Sequence, residues 1–508
     1  MADNSTPDLT AEKPDGATQD IDTVEQPSDG APEAVTTTKL TPNQIAAWQA
    51  LPENQKTAIR HREAIRIFNS GLEHHKNGDL AAAIEAYGKA LVLDPGAADT
   101  YNNLGVALRS TGKLRAAIAC YRRGLVLHPN HPNIYSNMGN AYRELGHLQL
   151  SVASHHKAIK LNSKNAEAYY NLGLALRDLG QIQQSLRAFE TTLQLNPTHA
   201  ECRCDRSLTL LSMGDFKRGL DEYEWRWKLD RNPPRKFDKP IWNGSELKGK
   251  TLLIHQEQDI GDMIQFARYI PMIKDRGGRV ILETQPELSR LMSTAPGVDG
   301  VTVCGSELPE YDCYIPMMSL ARLFATTLDT IPKPIPYLTP PEQPYIPLPA
   351  SLDTQYKVGI AWAGNATHIN DKNRSCDFSY FIELMGIPSI NIYSLQKGEN
   401  EADIKVNGCQ ALVVDMAPSL NDFADAAALI QNLDLVISVD TATAHLAGTL
   451  GKPVWLVLPF SADWRWLHET AQSPWYPSMR IFRQRQPGNW DQVFRDIRRA
   501  LHEKLELT

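Results

Sequence analysis

The residues best suited to chemistry lie in one short stretch, from Ser438 to Gly448. This stretch leaves a predicted strand and enters a predicted helix, with Asp440 and Thr441 at the junction. The first backbone N–H groups of a helix have no partner inside it, so with nearby hydroxyls they form an anion site. A pyrophosphate is expected to bind there without a metal. Asp440 and Thr441 are also ordinary N-cap residues, so helix capping alone is the alternative.

A second candidate is a carboxylate that follows another predicted strand. Asp262 comes directly after Gly261, where that strand has turned into a helix. A carboxylate at the carboxyl end of a strand faces the ligand cleft of an open α/β sheet, where it can take a proton from an acceptor hydroxyl. Helix capping by Asp262 is the alternative. His255 and Glu257 are the reserve candidates for the same role.

A third candidate is the turn Gly364-Asn365 with the polar run that follows it. The turn ends a predicted strand, and Lys372 and Arg374 lie a few residues further on. Cations there would offset the charge that develops on a departing phosphate. These four residues are therefore expected to contact the substrate that carries the phosphate. A solvated loop is the alternative.

Aromatic side chains crowd a fourth stretch, from Trp464 to Tyr476. One role for them is ring stacking on a nucleobase, but packing of the closing segment is the favoured interpretation. None of these residues is assigned to the site.

These motifs resemble those of heptosyltransferase-like enzymes, glycosyltransferase family 9. The resemblance is strongest at Asp440-Thr441, followed by His445 and then Gly451-Lys452-Pro453. It implies that the Asp-Thr turn and the helix behind it hold a nucleotide sugar, with donor binding assigned to Asp440, Thr441, Ala442, Thr443 and His445. Ala442 stands where the family often has glycine. A packed His445 that binds no ligand is the alternative for that residue.

The same resemblance implies a reaction. In the family, the Asp of a Gly-Asp turn is taken as the general base, which corresponds here to Asp262, and a basic residue matches Lys372 or Arg374 loosely. We therefore expect hexosyl or heptosyl transfer from a nucleotide-sugar donor, with inversion and with no metal or other cofactor. Residues 251–508 contain no Asp-x-Asp triplet. A non-catalytic interaction scaffold with an inactive α/β region is the alternative.

The elements that carry these motifs alternate between strand and helix patterns, which predicts parallel sheets. Short apolar runs such as Leu435–Val439 typify the strands. Eight prolines between residues 331 and 350 mark a boundary, because proline continues neither a helix nor a central strand. We expect two Rossmann-like halves, residues 251–330 and 351–508, in the GT-B arrangement. The closing helix, 489–505, is expected to cross back and brace the first half.

A repeat of 34 residues precedes this α/β region. Two series of glycines keep that spacing: Gly71, Gly105, Gly139 and Gly173, and Gly78, Gly112, Gly146, Gly180 and Gly214. Apolar residues between them recur at helical spacing. Residues 64–230 therefore resemble tetratricopeptide repeats, which form an all-α solenoid. The solenoid is expected to present a groove to a peptide or partner protein, or else to serve only as a scaffold.

Repeats joined to a GT-B pair are also similar in layout to protein O-GlcNAc transferases. The acceptor is therefore expected to be a protein, a lipid-linked sugar or another glycan, with a protein partner on the repeats. The net charge of −7 does not supply the positive field that drives nucleic-acid binding.

Composition bounds the remaining segments. The chain has 508 residues, too many for one hydrophobic core. Seven cysteines without zinc-type spacing indicate reduced thiols in the cytoplasm. No leader and no run of about 18 apolar residues is apparent, so a membrane span is not expected. Residues 1–38 are predicted to form a disordered acidic tail, 39–63 a leading helical segment, and 231–250 a linker.

Overall fold

The computed structural model describes residues 42–506 apart from 258, 334, 343–345, 347, 349–354 and 369. The chain divides into two compact units, Met1–Cys202 and Arg203–Thr508. The predicted acidic tail, residues 1–38, lies outside the described residues, as do the first residues of the leading segment and part of the proline-rich stretch. The predicted fold class is confirmed, because helical repeats precede a region of parallel sheets.

Helices in consecutive pairs build the first unit. They are α1 (Pro42–Ala50), α2 (Glu53–Lys76), α3 (Leu80–Leu93), α4 (Ala98–Ser110), α5 (Leu114–Leu127), α6 (Pro132–Glu144), α7 (Leu148–Leu161), α8 (Ala166–Asp178) and α9 (Ile182–Leu195). A further helix, α10 (Ala200–Ser212), begins at the end of this unit and continues into the second. Each helix from α2 to α8 packs against the one that follows it.

The 34-residue spacing marks where helices touch and where they turn. A Cβ on Gly173 of α8 would lie 2.5 Å from the Phe189 ring of α9, so only glycine allows this approach. His155 takes the place of that ring in the preceding repeat, opposite Gly139. The second glycine series ends the first helix of each pair with φ between +74° and +81°, a left-handed backbone that glycine adopts without strain.

In the second unit, α10 is followed by α11 (Phe216–Tyr223). Phe216 stacks on Trp475 with ring centroids 5.7 Å apart, and its edge contacts Trp464. Trp242 and Leu247, in the predicted linker, are 4% and 2% exposed. Because these side chains are buried, residues 203–250 pack as part of the second unit. The sequence instead ended the repeats at residue 230 and treated 231–250 as a linker.

A sheet of four parallel strands forms the first half of this unit, in the order β3-β2-β1-β4. Its strands are β1 (Thr251–His255), β2 (Arg279–Thr284), β3 (Gly300–Val303) and β4 (Cys313–Pro316). Its helices are α12 (Ile260–Phe266), α13 (Ile270–Lys274), α14 (Pro286–Met292) and α15 (Ser319–Leu323). The sequence did not predict β3.

A sheet of six parallel strands forms the second half, in the order β10-β9-β8-β5-β6-β7. Its strands are β5 (Tyr356–Ala361), β6 (Ile390–Ser394), β7 (Val413–Asp415), β8 (Leu435–Val439), β9 (Val454–Leu458) and β10 (Met479–Arg483). Its helices are α16 (Asp371–Arg374), α17 (Ser379–Met385), α18 (Asp403–Val406), α19 (Phe423–Ile430), α20 (Ala442–Thr449) and α21 (Trp490–Glu506).

The closing helix α21 packs on its own half. Val493, Ile497 and Leu501 join the hydrophobic cluster that covers β5 and β8, and α21 contacts α17 and β10. It does not cross back to brace the first half as the sequence suggested, because its apolar face is already buried against the larger sheet.

We expect Gly173→Ala to destabilise the repeats, because the added Cβ would lie 2.5 Å from Cε1 of Phe189. Overpacking of this kind costs about 1–3 kcal/mol. Gly88→Ala in α3 is the matched control, since nothing lies within 4 Å of a Cβ at that position. Circular dichroism should show a lower thermal midpoint for Gly173→Ala and an unchanged or higher midpoint for Gly88→Ala. Equal midpoints would contradict the packing argument.

Candidate active site

The candidate residues gather where the strand order of each sheet reverses. In the larger sheet the order reverses between β5 and β8, and in the smaller sheet between β1 and β4. Ligands of open α/β sheets bind outside the carboxyl ends of strands at such points. Gly364 follows β5, Asp440 follows β8, and Asp262 lies in the helix after β1. The fold therefore brings together motifs that are far apart in the chain.

The starts of α12 and α20 pack against each other across the two halves. A Cβ on Gly261 would lie 3.0 Å from Cδ2 of His445 and 3.8 Å from the Cα of Ala442. The absence of a side chain at Gly261 thus sets how closely the two helix starts approach. A larger residue there would separate Asp262 from Asp440.

Asp262 is buried in this contact, with 8% of its surface exposed. Its Oδ1 accepts a hydrogen bond from Nη2 of Arg465 at 2.5 Å, and its Oδ2 faces the backbone N–H of Asp259 at 3.4 Å. Burial raises the pKa of Asp262 to about 6, against the lowering effect of Arg465. At neutral pH the group is therefore mainly a carboxylate that can accept a proton.

Arg465 links the two halves through Asp262 and Gln265, and it also contacts Asp463 of its own half. Besides Asp262, its guanidinium donates to Oε1 of Gln265 and Oδ1 of Asp463, both at 2.8 Å. It also lies 4.7 Å from the ring of Trp464. The sequence placed this residue in an aromatic packing stretch and not in the site. The available signal was its position in the loop after β9, the strand beside β8.

Asp440 and His445 occupy the C-terminal side of the contact. The Asp440 side chain is 15% exposed, and burial, with Asp463 beside it, raises its pKa to about 6 against the opposing effects of Trp466, Arg374 and Arg465. His445 Nδ1 shares a hydrogen bond with the Tyr476 hydroxyl at 2.9 Å.

His445 is held as a neutral ring. Burial, with Arg465 nearby, keeps its pKa well below the usual value. Its Nε2 is 4.0 Å from Oδ1 of Asp440, and its ring centroid is 5.1 Å from that of Trp466. This packed position corresponds to the alternative in which His445 supports the helix rather than the ligand.

The start of α20 offers the polar groups that the sequence indicated. Thr441 is its N-cap residue, and its Oγ1 lies 3.0 Å from Oγ of Ser438. Ala442 and Thr443 are only partly buried. The first N–H groups of the helix have no acceptor within the helix, so they remain suited to an anion.

The loop after β5 brings one of its two predicted cations to the site. Arg374 packs over Gly364, where a Cβ would lie 2.6 Å from Nη2, and its charge reaches Asp440. Lys372 is exposed on the same short helix. Asn365 accepts hydrogen bonds from the backbone and hydroxyl of Thr367 at 3.0 and 2.9 Å, so it shapes the turn.

The two reserve candidates have structural partners. Glu257 accepts from Nε of Arg226 and from the backbone N–H of Met318, both at 2.8 Å, and burial raises its pKa. His255 is 3% exposed, and burial lowers its pKa to about 4. Its Nδ1 lies 2.9 Å from the Gln256 carbonyl oxygen. Both side chains are therefore less available than Asp262 to an acceptor hydroxyl.

Within the described part of the chain, no group of three or more His, Cys, Asp or Glu side chains is arranged to hold a metal ion. None of the helices described is long and apolar enough to cross a membrane.

Comparison with known families gives matches in both units. Residues 71–108, 107–146 and 139–176 match the TPR repeat, and residues 166–199 match the tetratricopeptide repeat. Residues 389–458 match glycosyltransferase family 9 (heptosyltransferase). The chain thus carries tetratricopeptide repeats and a C-terminal glycosyltransferase family 9 domain. That match includes Asp440 to His445 but not Asp262.

Individual proteins resemble parts of the chain. Protein FlbA of Caulobacter vibrioides is 27% identical over 291 residues, which cover 52% of this chain and 48% of that protein. The chain therefore spans about half the length of this curated relative. Among solved structures, MamA is 26% identical over 31% of this chain and 92% of its own, with a TM-score of 0.29. A thermophilic TPR protein of Thermus thermophilus is 19% identical over 34% and 93%, with a TM-score of 0.30.

Arg465→Gln should destabilise the second unit, because Asp262 would stay buried without a cation. Removing one partner of a buried ion pair costs about 3–5 kcal/mol. The loss should shrink as the pH falls from neutral towards about 6, because without Arg465, which lowers its pKa, Asp262 takes up a proton at a higher pH than in the wild type and then needs no cation. Denaturant unfolding followed by tryptophan fluorescence measures the free energy of unfolding at each pH.

The matched control is Arg322→Gln. The ion pair of Arg322 with Asp221 joins side chains that are 49% and 60% exposed, and such a pair contributes at most about 1 kcal/mol. Equal losses for the two variants at neutral pH would show that the Asp262 pair is not a stabilising contact between the halves.

Proposed function

We propose that this chain is a glycosyltransferase that moves a sugar from a nucleotide-sugar donor to an acceptor hydroxyl, with inversion and without a divalent metal. One observation carries the proposal. The starts of α12 and α20, each at the strand reversal of its own sheet, are in contact and place Asp262 opposite the Asp440-Thr441 turn. A base on one half thereby faces an anion site on the other, and the family 9 match covers the anion site.

The donor would bind at the start of α20. Its free N–H groups and the Thr441 hydroxyl suit phosphate oxygens, and the helix dipole favours negative charge there. Arg374 adds a cation from the loop after β5, close enough to influence Asp440. Because protein groups supply this positive charge, the diphosphate can be held without a metal.

Asp262 would be the general base. With a pKa of about 6, its carboxylate can take the proton of the acceptor hydroxyl at neutral pH. The acceptor oxygen then attacks the anomeric carbon while the bond to the donor phosphate breaks, and the bonding electrons leave on the phosphate oxygen. A single displacement of this kind inverts the anomeric configuration. Arg465 holds the carboxylate in place by its hydrogen bond to Oδ1.

The repeats would recruit the acceptor or a partner protein. Asn69, Asn103, Asn137 and Asn171 recur every 34 residues on the first helix of successive pairs. Asn103, Asn137 and Asn171 are 0%, 7% and 8% exposed, so these amides pack between the helices of the repeats. The surface that stacked repeats form is extended enough for a polypeptide, which favours a protein acceptor over a lipid-linked sugar or a free glycan.

A non-catalytic scaffold is the second candidate. The observation that favours it is the engagement of Asp262, because Arg465 and the Asp259 N–H already face its two oxygens. Incubation with a panel of sugar nucleotides separates the two functions, since an enzyme should release free nucleotide. Release from none of them, in the presence of candidate protein acceptors, would favour the scaffold.

Asp262→Asn tests the base. The amide keeps the shape of the carboxyl and can still cap α12, but it cannot accept a proton at neutral pH. Transfer should fall by roughly 10²- to 10⁴-fold, the usual contribution of a general base, while donor affinity stays near wild type. Asp275→Asn, at an exposed position after α13, is the control and should retain full activity. Normal turnover by Asp262→Asn would show that Asp262 only caps the helix, and His255 and Glu257 would then be the candidates for the general base.

Thr441→Val tests the donor site. The substitution removes one hydroxyl donor to phosphate, and a hydrogen bond to a charged group contributes roughly 1.5–3 kcal/mol. Calorimetric titration should therefore show donor affinity reduced more than tenfold, and transfer by the wild type should survive excess EDTA. Thr191→Val, on a repeat helix, should bind donor normally. Unchanged affinity in Thr441→Val would exclude this hydroxyl from the site, and loss of activity in EDTA would contradict metal independence.

A further inference from the structure

We propose that His368 is a further residue of the donor site, and that its Nε2–H donates a hydrogen bond to the departing phosphate. The proposal rests on the glycosyl transfer proposed above. His368 lies in the loop between β5 and α16, between the Gly364 turn and Arg374. Backbone hydrogen bonds from His368 N to Asn365 O, at 3.0 Å, and from Asp371 N to His368 O, at 2.9 Å, fold this loop back on itself.

One hydrogen bond determines which ring nitrogen carries the proton. The backbone N–H of Asn370 donates to Nδ1 of His368 at 3.1 Å. Because Nδ1 must accept this bond, the neutral ring carries its hydrogen on Nε2. The loop therefore presents a single N–H donor.

That donor points into the gap between the two halves. Nε2 lies 3.7 Å from Oδ2 of Asp259, the residue before α12. This separation is longer than a good hydrogen bond. The two side chains are 31% and 60% exposed, so a ligand oxygen can reach the Nε2–H from solvent.

The surroundings of the ring favour its neutral form. Burial and the neighbouring Arg374 lower the pKa of His368, against the raising effects of Asp259, Asp371 and Asp463. These four charged side chains act on the imidazole electrostatically, and Asp259 is near enough for its Oδ2 to lie 3.7 Å from Nε2. A neutral N–H group is suited to this place because it can donate a hydrogen bond to the phosphate without adding a positive charge to the empty site.

With a neutral imidazole, the electrons and protons of the sugar transfer move as follows. The bond between the anomeric carbon and the phosphate oxygen breaks, and its electron pair stays on that oxygen. The acceptor oxygen forms the new bond, and its proton goes to Asp262. His368 keeps its own proton and only donates a hydrogen bond, which strengthens as charge collects on the phosphate. Its contribution is therefore independent of pH above its own pKa.

The carboxylate of Asp259 should repel the same phosphate. Its carboxylate lies on the far side of the gap, where phosphate oxygens that contact Nε2 would meet its negative charge. Removal of this charge should strengthen diphosphate binding, whereas removal of the imidazole should weaken it. The two substitutions thus have opposite expected signs.

Calorimetric titration with uridine, adenosine, guanosine and cytidine diphosphates, each on the full chain, tests the proposal. For the diphosphate that the wild type binds best, His368→Ala should weaken affinity about tenfold. His368→Gln, whose amide N–H reaches as far as Nε2–H, should stay within about threefold. Asp259→Asn should bind more tightly than the wild type, and His502→Ala, an exposed histidine on α21, should match it.

Transfer rates complete the test. His368→Ala should lower kcat without moving the alkaline limb of the pH profile, because a neutral donor does not titrate there. Equal affinities for His368→Ala and wild type, or no rescue by the glutamine, would overturn the proposal while leaving glycosyl transfer intact. A wild type that binds none of the four diphosphates would overturn it as well. Normal binding with no transfer by the wild type would instead count against the proposed function alone.

Discussion

The contact between the starts of α12 and α20 is the constraint on which the second unit depends. Gly261 permits it, since any side chain there would meet the His445 ring. The buried ion pair between Asp262 and Arg465 then joins the two halves next to this contact. Two charges taken out of water are costly unless each finds several partners, and Arg465 finds three in Asp262, Gln265 and Asp463. The halves are therefore held by groups that also define the candidate site.

A second arginine supports the same contact without a carboxylate. Arg268 is 1% exposed and donates to the backbone carbonyl of Trp475 at 3.0 Å and to the Tyr337 hydroxyl at 3.0 Å. It also lies over the rings of Tyr337, Trp475 and Tyr476. Carbonyl and aromatic partners satisfy this charge, so the negative groups of the site are left for Arg465 and Arg374. Burial raises the pKa of Asp262 and of Asp440 to about 6, although Arg465 lowers both and Arg374 lowers that of Asp440.

The division of the chain has a similar physical origin. Helices α2 to α9 each bury their apolar face against neighbouring repeats, as stacked repeats do. The face of α11 instead carries Phe216, Leu220 and Tyr223 into the core of the α/β region. The spacing of apolar residues is the same for both kinds of helix, but the surface that covers them differs. The repeat pattern therefore continues in the sequence beyond the point where the compact unit ends.

The sequence by itself determined the features that depend on local order. Strand β8 was predicted at its observed ends because a buried parallel strand is a continuous apolar run, and the repeats followed from a spacing of 34. Asp262, Gly364 and Asp440 could be selected because each lies just after a predicted strand. Tertiary structure alone decided their partners. Arg465 is 203 residues from Asp262 in the chain, the tautomer of His368 depends on how one loop folds back, and α21 packs on its own sheet. Such contacts arise from the packing of distant surfaces, which leaves no periodic signal in the chain.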